Sequence, residues 1–179
     1  MKRVRGPAFF RRDVLKVAPE LLGKFLVRRI GRKETALMIT DVEAYLGLED
    51  RASHASRGQT KRNAPMFGEG GHWYVYFTYG MHWILNAVTG RERQPSGVMF
   101  LALEGVYGPA RLTKALRIGK AMNRRSITPA SGLWIEDRGV RVPPSRIVKG
   151  PRIGVDYAGT WAAKPYRFML KVDASRKRP

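Results

Sequence analysis

Between Phe25 and Tyr45 the chain sets two apolar runs around a charged break. Phe25-Leu26-Val27-Arg28-Arg29-Ile30 is followed by Gly31-Arg32-Lys33-Glu34, and the apolar pattern returns from Ala36 to Glu43. Short runs rich in branched side chains, divided by a polar glycine-bearing segment, predict two antiparallel strands joined by a hairpin. At a period of two the second strand directs Ile39, Asp41, Glu43 and Tyr45 to one face and Met38, Thr40 and Val42 to the other, so Glu43 and Tyr45 become surface neighbours. Upstream, Asp13 suits the cap of a short helix through Val14, Leu15 and Val17. Pro19 suits the first position of a separate turn carrying Leu21 and Leu22 to Gly23.

From Leu46 to Gly71 the pattern lapses into a polar stretch punctuated by Gly47, Gly58, Gly68, Gly70 and Gly71, which predicts a long functional loop. Regular structure is expected again at Trp73 to Tyr79, Met81 to Val88 and Val98 to Leu103. A helix follows, with Pro109 at its first position, an apolar stripe of Leu112, Ala115 and Leu116, a basic face of Arg111, Lys114 and Arg117, and Gly119 to end it. Residues Gly119 to Pro151 predict a loosely organised surface region with one apolar patch, Leu133-Trp134-Ile135. Arg152-Ile153-Gly154-Val155 and Tyr166 to Val172 read as closing strands, and Ser175 to Pro179 as a frayed tail.

Composition changes the picture in one direction. The 179 residues are 44% hydrophobic, which predicts one well-buried core and a single domain over 1–179. Lys and Arg total 34 against 14 Asp and Glu, a formal charge of +20, and the sequence pI is about 11.1. Such an excess is the electrostatic footprint of a phosphate-rich partner, with binding that weakens as salt rises. The cations are spread along the chain with no long amphipathic or apolar segment, which favours nucleic acid over a membrane surface. The absence of cysteine excludes disulfides, thiolate nucleophiles and Cys-ligated zinc. The basic opening residues lead into no apolar stretch of signal-peptide length, so the expected compartment is the cytoplasm, on the nucleoid in a bacterium.

Against that charge, acids stand out. Asp41, Glu43, Glu49 and Asp50 fall within ten residues, and Tyr74-Val75-Tyr76-Phe77-Thr78-Tyr79-Gly80 follows after the loop. Together they predict a negative, aromatic pocket in a positive surface, suited to hydrolysing something attached to a nucleic acid. The plainer readings are an ion pair between Glu43 and an arginine, and Tyr76 as a core ring.

Several segments carry a resemblance. Glu43-Ala44-Tyr45-Leu46-Gly47, Asp50 to His54, Arg62-Asn63-Ala64-Pro65-Met66-Phe67, Tyr74 to Met81 with Asn86, and Gly108-Pro109-Ala110-Arg111-Leu112 resemble the alkyladenine (3-methyladenine) DNA glycosylase family. The closing Arg152 to Val155 and Lys164 to Phe168 resemble its C-terminal end. The resemblance implies an α+β fold, a single compact domain in which a curved, largely antiparallel β-sheet is surrounded by helices. It implies a monomeric, monofunctional N-glycosyl hydrolase that needs no cofactor or metal and whose partner is double-stranded DNA containing a damaged purine.

By the same resemblance, Glu43 is the catalytic general base that activates water. Tyr45, His54 and Tyr76 sandwich the extruded base, and the backbone near Ala52 and His54 reads its edge. Asn86 at the pocket floor helps reject the guanine amino group, with Met66 and Met99 as lining or core. Tyr79 is the intercalating wedge, Arg57 and Arg62 are phosphate contacts, and Asp41 is structural. The chain departs from the family at Leu101, where an arginine commonly precedes Ala-Leu-Glu, so a phosphate contact is lost or supplied elsewhere. The loop after His54 is one residue shorter than in some relatives, and lesion preference stays open between 3-methyladenine, 7-methylguanine, hypoxanthine and ethenoadenine.

Two rivals remain open at this level. Asp41, Glu43, Glu49 and Asp50 could hold Mg²⁺ in a nuclease, and a binding protein without catalysis explains charge and aromatics equally well. A lyase-competent glycosylase needs an amine in the pocket, and no lysine falls in the pocket motifs.

Overall fold

The 13-residue strand Lys33–Tyr45 is the hub of the molecule. A computed structural model of the chain describes residues 3–171. Val172, expected to end the last strand, and the tail from Ser175 lie outside the described residues. The elements run β1 (Arg3–Val4), α1 (Pro7–Phe10), α2 (Val14–Leu21), β2 (Phe25–Ile30), β3 (Lys33–Tyr45), β4 (Trp73–Thr78), β5 (His82–Thr89), β6 (Ser96–Leu103), β7 (Val106–Tyr107), α3 (Pro109–Ala115), β8 (Leu133–Asp137), β9 (Ile147–Gly150) and β10 (Arg167–Leu170). The strands form one sheet in the order β1-β8-β2-β3-β6-β5-β4, with β10 bridging β3 and β9 and β7 pairing β6. The pairings are antiparallel. The α+β class and the curled antiparallel sheet are thus as expected.

The first half of β3 pairs β2 from Lys33–Ile30 to Met38–Phe25, and its second half pairs β6 and β10. Between the halves the register slips twice, between Ile39 and Asp41 and again between Asp41 and Val42. The slips leave Thr40 on β3 and Leu101 on β6 outside the one-to-one register. A bulge of this kind bends a strand and re-aims its side chains. It also corrects the simple alternation: Ile39 joins Val42 and Ala44 in the core instead of sharing the face of Glu43. Beyond the bulge, Glu43 and Tyr45 do share a face, as the period of two requires.

The core lies on the opposite face. Val42, Ala44, Leu85, Ala87, Val98 and Phe100 of the sheet are covered by Phe10, Val14, Val17 and Leu21 from α1 and α2 and by Leu112 of α3 with Leu116 at its C-terminal cap. These helical residues recur at three- and four-residue spacings, the condition for one apolar stripe. Asp13 caps α2 by accepting from Leu15 N–H at 2.7 Å. Pro19 does not begin a new turn. It sits inside α2, and Leu22 N–H closes the helix on its carbonyl.

Two further expectations are corrected. Residues 119–151 are not merely loose surface, because Leu133–Asp137 is a mostly buried strand between β1 and β2, and Ile147–Gly150 pairs β10. Arg152 to Val155 is not a strand. Gly154 has φ +69°, which turns the chain over the mouth of the site.

The long loop stays a loop, broken by short 3-10 turns at His54–Arg57 and Ala64–Phe67. Its exit is pinned by Gly70, whose N–H bonds the Gly90 carbonyl at 3.0 Å, while Gly90 N–H bonds Phe10 O at 2.9 Å. A Cβ on Gly70 would lie 2.5 Å from the Phe10 carbonyl oxygen and 3.0 Å from that of Gly90, both backbone atoms that cannot swing away. Gly70→Ala is therefore expected to destabilise the protein by about 1–3 kcal/mol, read as a lower denaturation midpoint in urea.

Candidate active site

Glu43 is fully buried, which is unusual for a carboxylate without a cation in contact. Its Oε1 accepts from the backbone N–H of Ile153 at 2.8 Å and its Oε2 from the Tyr45 hydroxyl at 2.7 Å. Among the described residues no guanidinium is bonded to it; Arg167, its antiparallel neighbour on β10, pairs Asp41 at 2.7 Å. Burial raises the Glu43 pKa above the ordinary carboxylate value, opposed first by the Ile153 N–H, then by the Tyr45 hydroxyl and the Arg167 charge. The carboxylate is held for use as an acceptor but kept out of water, the environment that makes such a group a stronger base.

In front of Glu43 opens a cavity of about 340 Å³, within the range of small-ligand clefts, about 300–1,000 Å³. Tyr45, Ala52, His54, Met66, Tyr76, Asn86 and Met99, the residues expected of a pocket, all line it, and so does Tyr79, expected as the wedge. Glu43 itself stands behind that wall, one layer back, screened by Tyr45 and Ile153. Tyr74, Thr78, Ile84, Val88, Gly97, Pro109 and the turn Ile153-Gly154-Val155 with Tyr157 complete the lining; several lie in the motifs quoted above, but none was given an individual role in the pocket there. Tyr74 was recognisable, since it shares the face of Tyr76 at i, i+2. Among the described residues no lysine lines the cavity.

The aromatic wall is ordered by its own contacts. His54 and Tyr76 meet edge to face with ring centroids 4.7 Å apart, and Tyr74 and Tyr76 lie at 5.2 Å. His54 Nδ1 is 3.2 Å from the Tyr74 hydroxyl. Although His54 keeps an exposed edge, partial desolvation and then the Arg62 charge hold its pKa below the usual histidine value, which favours the neutral ring. Burial raises the phenol pKa of Tyr45 and Tyr76 and pushes Tyr74 up to about 12, so all three present neutral, electron-rich faces. Such faces attract a cationic ring more than a neutral one.

The other expected residues fall as follows. The Asn86 amide donates to Tyr74 O at 3.2 Å across the β4–β5 pair while facing the cavity. Ala52 N–H is held by Asp50 at 3.1 Å, and its carbonyl faces the Tyr157 hydroxyl at 3.5 Å. Arg62 reaches the Phe77 carbonyl at 2.9 Å and lies over the Tyr76 ring at 5.2 Å. Arg57 is exposed and borders an open cleft next to His54, with Arg51 on the same rim.

Tyr79, expected to end a regular run from Trp73, lies just beyond it. Strand β4 ends at Thr78, which pairs His82, and Tyr79 and Gly80, at φ +50° and +66°, are the central residues of the turn between them, closed by Met81 N–H on Thr78 O at 3.1 Å. The turn thrusts Tyr79 outward, 87% exposed, at the rim of the cavity. Leu101, where the resemblance led to the expectation of an arginine, is buried beside the bulge, with its carbonyl bonded by Gly108 N–H.

The four clustered acids do not converge. Asp41 pairs Arg167, Asp50 pairs Arg152, and Glu49 borders other clefts. Among the described residues no group of three or more His, Asp or Glu side chains is placed to hold a metal ion. No helix of the described residues is long and apolar enough to cross a membrane.

A curved antiparallel sheet carries a buried carboxylate beside an aromatic cavity, on a strongly basic chain, an arrangement that fits an enzyme acting on a nucleic acid. The family described as methylpurine-DNA glycosylase (MPG) matches residues 8–107 and 104–174, and the chain belongs to that family. A protein of Myxococcus xanthus (strain DK1622) is 44% identical over 174 residues, covering 92% of this chain and 88% of its own. One of Methanocella arvoryzae is 41% identical over 183 residues, covering 91% and 90%. One of Legionella pneumophila (strain Corby) is 42% identical over 182 residues, covering 96% of both. All three bear the name "Putative 3-methyladenine DNA glycosylase".

Proposed function

We propose that this protein is a monomeric DNA glycosylase that turns a damaged purine, alkylated or deaminated, out of duplex DNA and hydrolyses its N-glycosidic bond with water. The observation that carries the reading is the buried Glu43 carboxylate, held by Ile153 N–H and the Tyr45 hydroxyl directly behind the aromatic cavity. The base enters the cavity and lies against Tyr45, His54 and Tyr76. Neutral, electron-rich rings favour a purine that alkylation has made cationic, and such a purine is also the better leaving group. The Ala52 carbonyl and the Asn86 amide are the polar groups at hand to read its edge.

Each Glu43 oxygen accepts one protein hydrogen bond and keeps acceptor capacity for water. As the C–N bond breaks, its electron pair leaves with the base, and water adds to the anomeric carbon while Glu43 takes the water proton. The negative carboxylate also favours the positive charge that grows on the sugar. Among the described residues no lysine lines the cavity, which favours water as the nucleophile and an intact abasic site over a Schiff-base route. A raised Glu43 pKa brings the base towards working pH, and excision should fall as pH drops through that value.

The test is a panel of duplexes, each with a single 3-methyladenine, 7-methylguanine, hypoxanthine or ethenoadenine. Free base should be released from at least one, leaving an alkali-labile site and no protein–DNA adduct after borohydride. Release from none would remove the enzymatic reading, and a trapped adduct would replace water by an amine.

Tyr79 fills the gap left by the turned-out nucleotide, and Arg57 and Arg62 meet the flanking phosphates. Unstacking costs a few kcal/mol per step, part of which an inserted ring recovers. Tyr79→Ser should weaken binding to lesion-containing duplex by about tenfold, the equivalent of ~1.4 kcal/mol. It should also lower the fluorescence change of a 2-aminopurine placed beside the lesion. Wild-type signal in both would show that Tyr79 is only a surface ring.

A further inference from the structure

Asp50 and Arg152 form a buried ion pair beside the site that the proposed chemistry does not use. Both side chains are fully inaccessible to solvent. The pairing is bidentate, Nη1 to Oδ2 at 2.5 Å and Nη2 to Oδ1 at 2.8 Å. Arg152 also donates to Ala44 O at 2.9 Å and towards Trp161 O at 3.3 Å. Asp50 in turn accepts from Leu46 N–H at 3.0 Å and Ala52 N–H at 3.1 Å. The guanidinium lies between two rings, 4.7 Å from the Tyr45 centroid and 5.4 Å from that of Tyr166.

These bonds join the three segments that build the site: the end of β3, the loop at Asp50 to Ala52, and the C-terminal turn. Arg152 is the residue before Ile153, whose N–H fixes one oxygen of Glu43, and it packs against Tyr45, whose hydroxyl fixes the other. A fork of planar donors anchored at four acceptors holds its neighbours more tightly than a point charge does. Buried ion pairs seldom add stability over apolar substitutes of similar volume, so this one calls for another role.

We propose that Arg152, clamped by Asp50, is a positioning residue that aims the Glu43 carboxylate and sets the Tyr45 ring against the incoming base. The role rests on the proposed glycosylase reading only for its catalytic consequence; the geometric claim is independent of it. The groups that bear on the Glu43 charge are Tyr45 and Asp41 on its own strand, Arg167 on β10, Arg152 in the turn and Tyr76 on β4. The Ile153 and Tyr45 hydrogen bonds both lower the pKa that burial raises. Loosening the clamp weakens both bonds and lets the Glu43 pKa climb further.

The test compares Arg152→Lys, which keeps the charge and loses the fork, with Asp50→Asn/Arg152→Met, which removes both charges together and keeps the protein folded if the lysine variant does not. Two readouts are taken on each: the plateau rate of single-turnover base release on the high-pH side, and the titration midpoint of the Glu43 carboxyl by ¹³C NMR. The expected result is a plateau lowered about tenfold or more, since a misplaced reacting group loses rate steeply, and a Glu43 midpoint above that of the wild type in both variants. A folded Arg152→Lys variant with wild-type plateau and midpoint overturns the proposal and leaves the pair a fold element; if that variant does not fold, an unchanged plateau in the folded double variant does the same. A wild type that releases no base, with the Glu43 midpoint still raised in Arg152→Lys, upholds the positioning claim and condemns the glycosylase reading instead.

Discussion

Glu43→Gln is expected to keep the affinity for lesion-containing duplex within about threefold while lowering base release by about 10²–10⁴-fold, the range for losing a general base. The amide has the carboxylate's shape, and its oxygen can still accept from Ile153 N–H, so the wall behind the cavity stays in place. What it loses is the ability to take a proton from water and to face the sugar with negative charge. The same substitution should act on stability with the opposite sign. Burial raises the folded-state pKa of Glu43 above its unfolded value, so its carboxyl favours the fold while protonated and turns against it as pH rises through the folded pKa. Removing the charge at neutral pH should therefore raise Tm, by about 2–4 °C if the gain is ~1 kcal/mol in a domain of this size. A variant that excises at the wild-type rate would end the general-base assignment, whatever its Tm.

The adjacency of Glu43 and Tyr45 was legible because it is local: two residues apart on a strand they must share a face, and the structure closes that pair at 2.7 Å. Ile39 was not, because the alternation holds only while the register does, and a bulge shows in no residue type at Thr40 or Leu101. The segment Arg152 to Val155 looked extended through its branched residues. Pro151 before it and Gly154 within it were the signs of a turn, and Gly154 at φ +69° is that turn. Misreading it hid Ile153, whose N–H fixes Glu43, and Tyr157 at the mouth. Strand β8 was hidden by its basic, proline-rich flanks, though Leu133-Trp134-Ile135 has the composition of a buried strand. The partnership of Asp50 and Arg152 spans 102 positions, and nothing in either one's neighbourhood names the other. Charge content predicted that most acids of this chain would meet cations; it could not say that Glu43 would be held apart.

That separation makes the stability of the site depend on which charge is removed. Asp50→Ala strands the Arg152 guanidinium in a fully buried place, still facing the Ala44 and Trp161 carbonyls but without its counter-charge. It also strips Leu46 N–H and Ala52 N–H of their acceptor. Breaking a buried pair from one side costs about 3–5 kcal/mol, which in a domain of this size lowers Tm by roughly 6–20 °C. Asp50→Asn/Arg152→Met should be far milder, because it leaves no unpaired charge and the asparagine oxygen can still serve the backbone donors. Thermal unfolding of the single and double variants side by side measures the difference. A single variant as stable as the wild type would mean that water reaches the guanidinium, and the clamp around Glu43 would then be a solvated contact rather than a buried one.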